Sequence, residues 1–233
     1  MELRNIDIVS ANCICPNDAV LAIKQCCKYF EFGRKILFTN SNVQEDGVET
    51  IKIKKLSTVD EYNDFILSLG EYVNNEYVLV VQDDGYIINP KLWTDEFFQY
   101  DYIGAPWPTE ETWIDCQLER SRPFMRNVFP KNRVGNGGFS LRSKRFLEYS
   151  LQFESCDGFG EDTFLCVTNY EKAIESKIKF AEFELASRFS YENPCIEFGT
   201  PWNSRTSLDI KNHFGFHGKN FINTSELLSL KHK

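Results

Sequence analysis

The chain has 233 residues, 42% hydrophobic and 26% charged, with a formal net charge of −8, enough for one substantial core without staples. No run of Lys and Arg supplies the basic footprint of a nucleic-acid reader, so no nucleic-acid partner is expected. An anionic substrate would have to be held locally, by a metal, a few cations or backbone N–H groups.

Ile6 to Ala11 reads as a first strand, and Pro16 to Phe30 carries apolar residues at helical spacing from Ala19 to Phe30. Lys35 to Thr39 is a short buried strand, and Glu49 to Ile53 alternates like another. Tyr62, Phe65, Ile66 and Leu69 predict a helix between Thr58 and Val73, before the most apolar strand, Tyr77 to Val81. Strands alternating with helices predict an α/β fold with a mostly parallel sheet covered on both faces. Ligands of such sheets collect beyond the carboxyl ends of the strands. No G-x-G-x-x-G or P-loop lysine motif accompanies them. Thr109 to Asn132 has no clean period and reads as a long loop or flap. Helical patterns return at Ser143 to Leu151 and Asp162 to Ile174.

The 20 Phe, 10 Tyr and 4 Trp serve the core first and stacking on bases or sugars second. Eight cysteines, at 13, 15, 26, 27, 116, 156, 166 and 195, fit no zinc ribbon. Buried free thiols are expected of most, which favours a reducing compartment. With charges where a signal peptide needs an apolar core, and no stretch long enough for a membrane span, a cytoplasmic location is expected.

Four places bear chemistry. Strand Tyr77 to Val81 runs into Gln82-Asp83-Asp84-Gly85, where carboxylates at a strand end suit Mg²⁺ or Mn²⁺ bridged to a diphosphate. A plain Asp-Gly turn is the bland alternative. Gly135-Asn136-Gly137-Gly138 permits close backbone approach to a ligand and offers an amide to a sugar hydroxyl, or forms a bulged turn. Glu161 and Asp162 open a helical pattern, as caps or with Asp162 kept ionised by the helix terminus as a general base. His217, in Phe214-Gly215-Phe216-His217-Gly218, is a satisfied histidine or a neutral imidazole completing a site begun by Asp84.

In combination, Gln82-x-Asp84-Gly85, Tyr100 to Trp107, Gly135 to Ser143, Glu161-Asp162 and Phe214 to Gly218 resemble a little-characterised family of glycosyltransferase-like proteins, over most of the chain. That family is similar in layout to inverting transferases of the GT-A fold. The resemblance implies one GT-A-like domain over 1–233, with a nucleotide-donor half at about 1–90 and an acceptor and catalytic half at about 91–220. It implies Mn²⁺ or Mg²⁺ on Asp84 and His217, and Asp162 as the base. Gln82 departs from the first acid of a D-x-D motif. On this reading a nucleoside diphosphate-sugar lies along Ser10, Ala11 and Asp83, its sugar against Asn136, Gly137 and Gly138, with Trp107 stacked on a sugar face. Asp162 takes the proton of a glycan or other hydroxyl acceptor, with inversion at the anomeric carbon. A nucleotidyltransferase of related fold, or a non-catalytic carbohydrate-binding module, is the alternative.

Overall fold

The structure, a computed structural model, describes residues 1–230. Its first part runs β1 (Glu2–Leu3), β2 (Ile6–Ala11), α1 (Pro16–Cys27), β3 (Glu31–Phe32), β4 (Lys35–Thr39), β5 (Glu49–Lys52), α2 (Val59–Leu67) and β6 (Tyr77–Val81). The chain continues through β7 (Gly85–Ile87), β8 (Tyr102–Ile103), α3 (Glu111–Ile114), α4 (Arg122–Val128), β9 (Phe139–Ser143) and α5 (Lys144–Ser150). It ends with α6 (Glu161–Thr163), α7 (Tyr170–Glu175), α8 (Phe183–Phe189), β10 (Ser190–Tyr191), β11 (Gly215–His217) and α9 (Thr224–Ser229).

The main sheet has six strands in the order β5-β4-β2-β6-β9-β8. β5, β4, β2 and β6 are parallel to one another, while β9 is antiparallel to β6 and β8. The sheet is therefore mostly parallel, and it takes strands from both halves of the chain. Four of the five β6 residues are buried, as a strand covered on both faces requires. α1 buries Ala19, Val20, Ile23 and Cys26 of the sequence pattern, with Ala22 and Gln25 besides, and leaves Cys27 half-buried. α2 starts where Thr58 accepts a hydrogen bond from the Glu61 amide, while Glu61 reaches back to the Ser57 amide at 2.7 Å.

A second sheet, β10-β11-β7, pairs β11 antiparallel with β7 and sets His217 opposite Gly85. The aromatic residues fill the core: Phe214 packs against Phe30, Trp93, Phe97, Phe139 and Phe189. All eight cysteines are free. Cys26, Cys156, Cys166 and Cys195 are buried, and Cys15 and Cys116 are exposed. Among the described residues, no helix is long and apolar enough to cross a membrane.

Two expectations are corrected. The stretch Thr109 to Asn132 is not a loop but carries α3, α4 and a 3-10 turn, and buries Trp113, Ile114, Met125, Val128 and Phe129. Helices of 4 and 7 residues are too short to show a period. Trp107 is 4% exposed and stacks on Phe129 inside the core, so it offers no sugar platform.

Candidate active site

Beyond the carboxyl ends of β2 and β6 opens a cleft of about 690 Å³. The segment after β2, from Ala11 to Cys15, and the approach to α2 line one end. Gln82 and Asp83 after β6, Asn136 to Gly138 before β9, Glu161 and Asp162 on α6, and His217 and Lys219 after β11 line the rest. Of the residues singled out in the sequence, Ala11, Asp83, Asn136, Gly137, Gly138, Asp162 and His217 share this one cleft. Ser10 lies inside β2, 1% exposed and with no hydrogen-bond partner for its hydroxyl, and does not line the cleft. Asp84 sits just behind Asp83 and reaches the site through its contacts.

The strand-end side is built by pairing of β7 with β11. Their register folds His217 back over Gln82 and Asp84. His217 Nε2 lies 3.0 Å from Gln82 Oε1 and 3.4 Å from Asp84 Oδ1, and Nδ1 lies 3.2 Å from Glu192 Oε1. Lys219 Nζ donates to Asp83 Oδ2 at 3.1 Å and stands 3.8 Å from Asp84 Oδ2. Burial alone would lower the His217 value, but Asp84 and Glu192 outweigh it and hold the imidazolium up to about 10. Burial would raise Asp84, yet His217 and Lys219 bring it below the usual carboxylate range. Two flanking carboxylates thus favour the protonated imidazole over the neutral form that metal ligation requires.

Whether a divalent cation suits this corner depends on its donor atoms. Gln82 Oε1, Asp84 Oδ1 and His217 Nε2 converge, with Glu192 behind Nδ1 as the carboxylate that commonly orients a ligating imidazole. Among the described residues no three His, Cys, Asp or Glu side chains form such a cluster. The set fits a site of low ligand charge, completed by an amide oxygen and by phosphate, in which a metal would displace the His217 proton.

On the helix side, Asp162 Oδ2 accepts from the Gly137 amide at 3.2 Å and Oδ1 from the Thr163 amide at 2.6 Å. Burial first, and the Glu161 charge second, push its carboxyl up to about 7. This runs against the expectation that the helix terminus keeps Asp162 ionised, because burial outweighs the terminal dipole. Glu161 is no rival base, because both its oxygens are held by Arg142, at 2.8 and 3.1 Å, in a buried pair.

The glycines also make room for side chains from distant segments. Neither Gly137 nor Gly138 has a positive φ. A Cβ on Gly137 would come within 2.1 Å of Glu161 Oε1, and one on Gly138 within 2.2 Å of His217 Nε2. Each leaves room for a chemically important side chain from a distant segment.

Four functional candidates escaped the sequence reading. Arg142 was visible only as part of a motif. Tyr62, whose hydroxyl accepts from Gln82 Nε2 at 2.8 Å, looked like one more apolar helix position. Lys219 and Glu192 lie outside any pattern, although a lone Lys two residues after His217 was a signal.

The family described as "Protein of unknown function (DUF5672)" matches residues 46–208, more than half of the chain. The chain belongs to this family. The match spans β6, the glycine-rich segment and the Glu161-Asp162 pair, but stops before His217 and Lys219. No curated protein matches the chain in sequence. Among solved structures, the galactosyltransferase LgtC in complex with donor and acceptor sugar analogs is similar at a TM-score of 0.55 and 13% identity, covering 97% of this chain and 95% of that one. An active-site mutant of LgtC gives 0.51 and 14%, covering 96% and 94%. The family member therefore has the α/β GT-A fold of glycosyltransferases, as its motifs implied.

Proposed function

We propose that the protein is a glycosyltransferase that moves a sugar from a nucleoside diphosphate-sugar to an acceptor hydroxyl. One observation carries this: a single cleft at the strand ends is lined both by Asp162, a buried carboxyl held by two backbone amides, and by an acid–cation cluster of Asp83, His217 and Lys219 with Asp84 behind it. The first is suited to take a proton at physiological pH. The second is suited to a diphosphate. That the same fold serves a galactosyltransferase with donor and acceptor sugars supports the reading.

In this mechanism Ala11 lines the nucleoside end, backed by Ser10 within β2, and Asp83 holds Lys219 beside the diphosphate. Asn136, Gly137 and Gly138 border the sugar. Asp84, His217 and Gln82 would hold Mn²⁺ or Mg²⁺, which supplies charge neutralisation to the leaving diphosphate. Asp162, oriented by the Gly137 and Thr163 amides, takes the proton of a glycan or other hydroxyl acceptor. A single placed base suits one displacement, so the product is expected inverted at the anomeric carbon. Eight free thiols support a cytoplasmic location.

The test is a thermal-shift panel of nucleoside diphosphates and their sugars, each with and without Mn²⁺. One nucleotide should raise the melting temperature by mass action, and more so with the metal. No stabilisation by any of them would sink the proposal.

A further inference from the structure

The Arg142–Glu161 pair stands next to the proposed chemistry without lining it as a reactant. Arg142 lies on β9, paired with Val78 and Tyr102, and is fully buried. Its guanidinium grips Glu161 with two donors, donates to Ser140 Oγ at 3.0 Å and reaches the Gly137 carbonyl at 3.4 Å. Ser140 Oγ donates to the same carbonyl at 2.9 Å. The guanidinium also sits 5.3 Å from the Tyr102 ring, whose hydroxyl donates to the Gly135 and Asn136 carbonyls. Glu161 is pinned from the other side, its amide donating to Asn63 Oδ1 at 3.2 Å.

Two loops are therefore fastened to one guanidinium, and both present groups to the cleft. The 160–162 turn presents Asp162. The 135–137 segment presents the Gly137 amide that holds Asp162, and the Asn136 side chain. Asn136 is 4% exposed, and its Oδ1 is buried without a partner while lining the cleft. An orphaned acceptor in that position awaits a donor from a ligand. A buried ion pair is a poor source of stability compared with apolar residues of similar size. Its value here lies in fixing the two loops.

Resting on the transferase reading above, we infer that Arg142 is a positioning residue: through Glu161 and the Gly137 carbonyl it sets the place and the proton affinity of the Asp162 carboxylate. The groups facing Asp162 are Glu161 and Glu192, which favour its proton, and the Tyr62 hydroxyl, with Arg142 behind Glu161 and Cys156, Cys166 and Asp64 farther back. Without Arg142, the Glu161 charge stands uncompensated beside Asp162, which then keeps its proton to higher pH. Without the Glu161 charge, Asp162 releases its proton at lower pH.

The experiment is a ¹³C-carboxyl NMR titration of the full chain, with Asp162 assigned by its loss in Asp162→Asn, in Arg142→Met, Arg142→Lys and Glu161→Gln. The midpoint is expected to rise by about one unit in Arg142→Met, to return most of the way in Arg142→Lys, and to fall by about one unit in Glu161→Gln. With a turned-over donor–acceptor pair, the acid limb of kcat should follow the same shifts while KM for the donor stays nearly constant. An unmoved midpoint in folded Arg142→Met overturns the inference. Should that variant fail to fold, an unmoved midpoint in Glu161→Gln overturns it instead. The titration needs no substrate, so it separates the two readings. Shifted midpoints in a protein that turns over no nucleotide-sugar support the coupling and sink the transferase. Turnover with unmoved midpoints sinks the coupling alone.

Discussion

On the strand-end side of the cleft, Asp83, Asp84 and Lys219 keep 26%, 17% and 54% of their side-chain surface open, whereas on the helix side Arg142 and Glu161 keep 0% and 5%. The two sides meet at Gly138 and Gly137, each of which gives its side-chain space to one of them. Exposed pairs are worth little and are screened by salt, so they exchange partners at small cost. A buried pair cannot break without stranding a charge. The first arrangement suits groups that must let go of each other to receive a ligand, and the second suits a frame that must not move while a proton does.

The sharpest way to break this contrast is at the two neighbouring acids. Asp162→Asn keeps shape and loses the proton acceptor, so turnover should fall by about 10² to 10⁴ with the fold intact. Its folded value of about 7 lies above the ordinary aspartate value of 3.8. The group's contribution to stability is therefore complete below that ordinary value and lost as pH rises through about 7. Asp162→Asn should melt higher than the parent at pH 8 and gain nothing at pH 4, as scanning calorimetry would show. Glu161→Gln should do the reverse, losing about 3 to 5 kcal/mol of stability by stranding Arg142. A dead Glu161→Gln beside an active Asp162→Asn would exchange the two roles.

Gly138→Ala comes next, because it drives a methyl group into His217. Overpacking should cost about 1 to 3 kcal/mol. Displacement of a proposed ligand should weaken Mn²⁺-assisted nucleotide binding about tenfold or more by calorimetry. Unchanged binding would free His217 from the site. Asp84→Asn should weaken the same binding more than His217→Ala, since only the first removes a charge that the metal meets. Equal losses would contradict the donor set proposed here.

Two smaller effects sharpen the comparison. Turnover should rise across neutrality with a midpoint at about 7, as Asp162 must be ionised to accept a proton. Lys219→Ala should change stability by about 0 to 1 kcal/mol, as exposed pairs do, yet lower nucleotide affinity. A large loss of stability in that variant would mean that the strand-end side is a frame as well.

The parallel layer was legible in the sequence because its strands are continuous apolar runs and its helices long enough to show a stripe. β6 has its expected bounds, and α1 starts at Pro16 as expected but ends at Cys27, short of Phe30. The second part was less so, since α3 and α4 are shorter than two helical repeats and mixed with charge. The site was legible as a set of segments, which do converge, but not in its electrostatics. Nothing in Glu161-Asp162 announces that one acid is clamped by an arginine 19 residues upstream while the other is held by the Gly137 and Thr163 amides. Nor does Phe216-His217-Gly218 disclose Glu192, whose charge reaches His217 only through the β10–β11 pairing.

Helix formation after Asp162 passes through one widened turn. Phe164 to Thr168 is π-helical, with the Asn169 amide donating to the Phe164 carbonyl at 3.0 Å, and Phe164, Leu165, Cys166 and Val167 are all buried. Four consecutive inward residues cannot be satisfied by a regular α-helix on one face, and the wide turn accommodates them. The accommodation is a matter of residue count. A chain one residue shorter here would close an ordinary helix and turn Tyr170 to Glu175 by about 100° relative to Asp162, carrying Ala173 out of the core and its charged neighbours toward it. A substitution within the turn would cost core packing at one position, whereas a deletion would be felt at both ends of the helix.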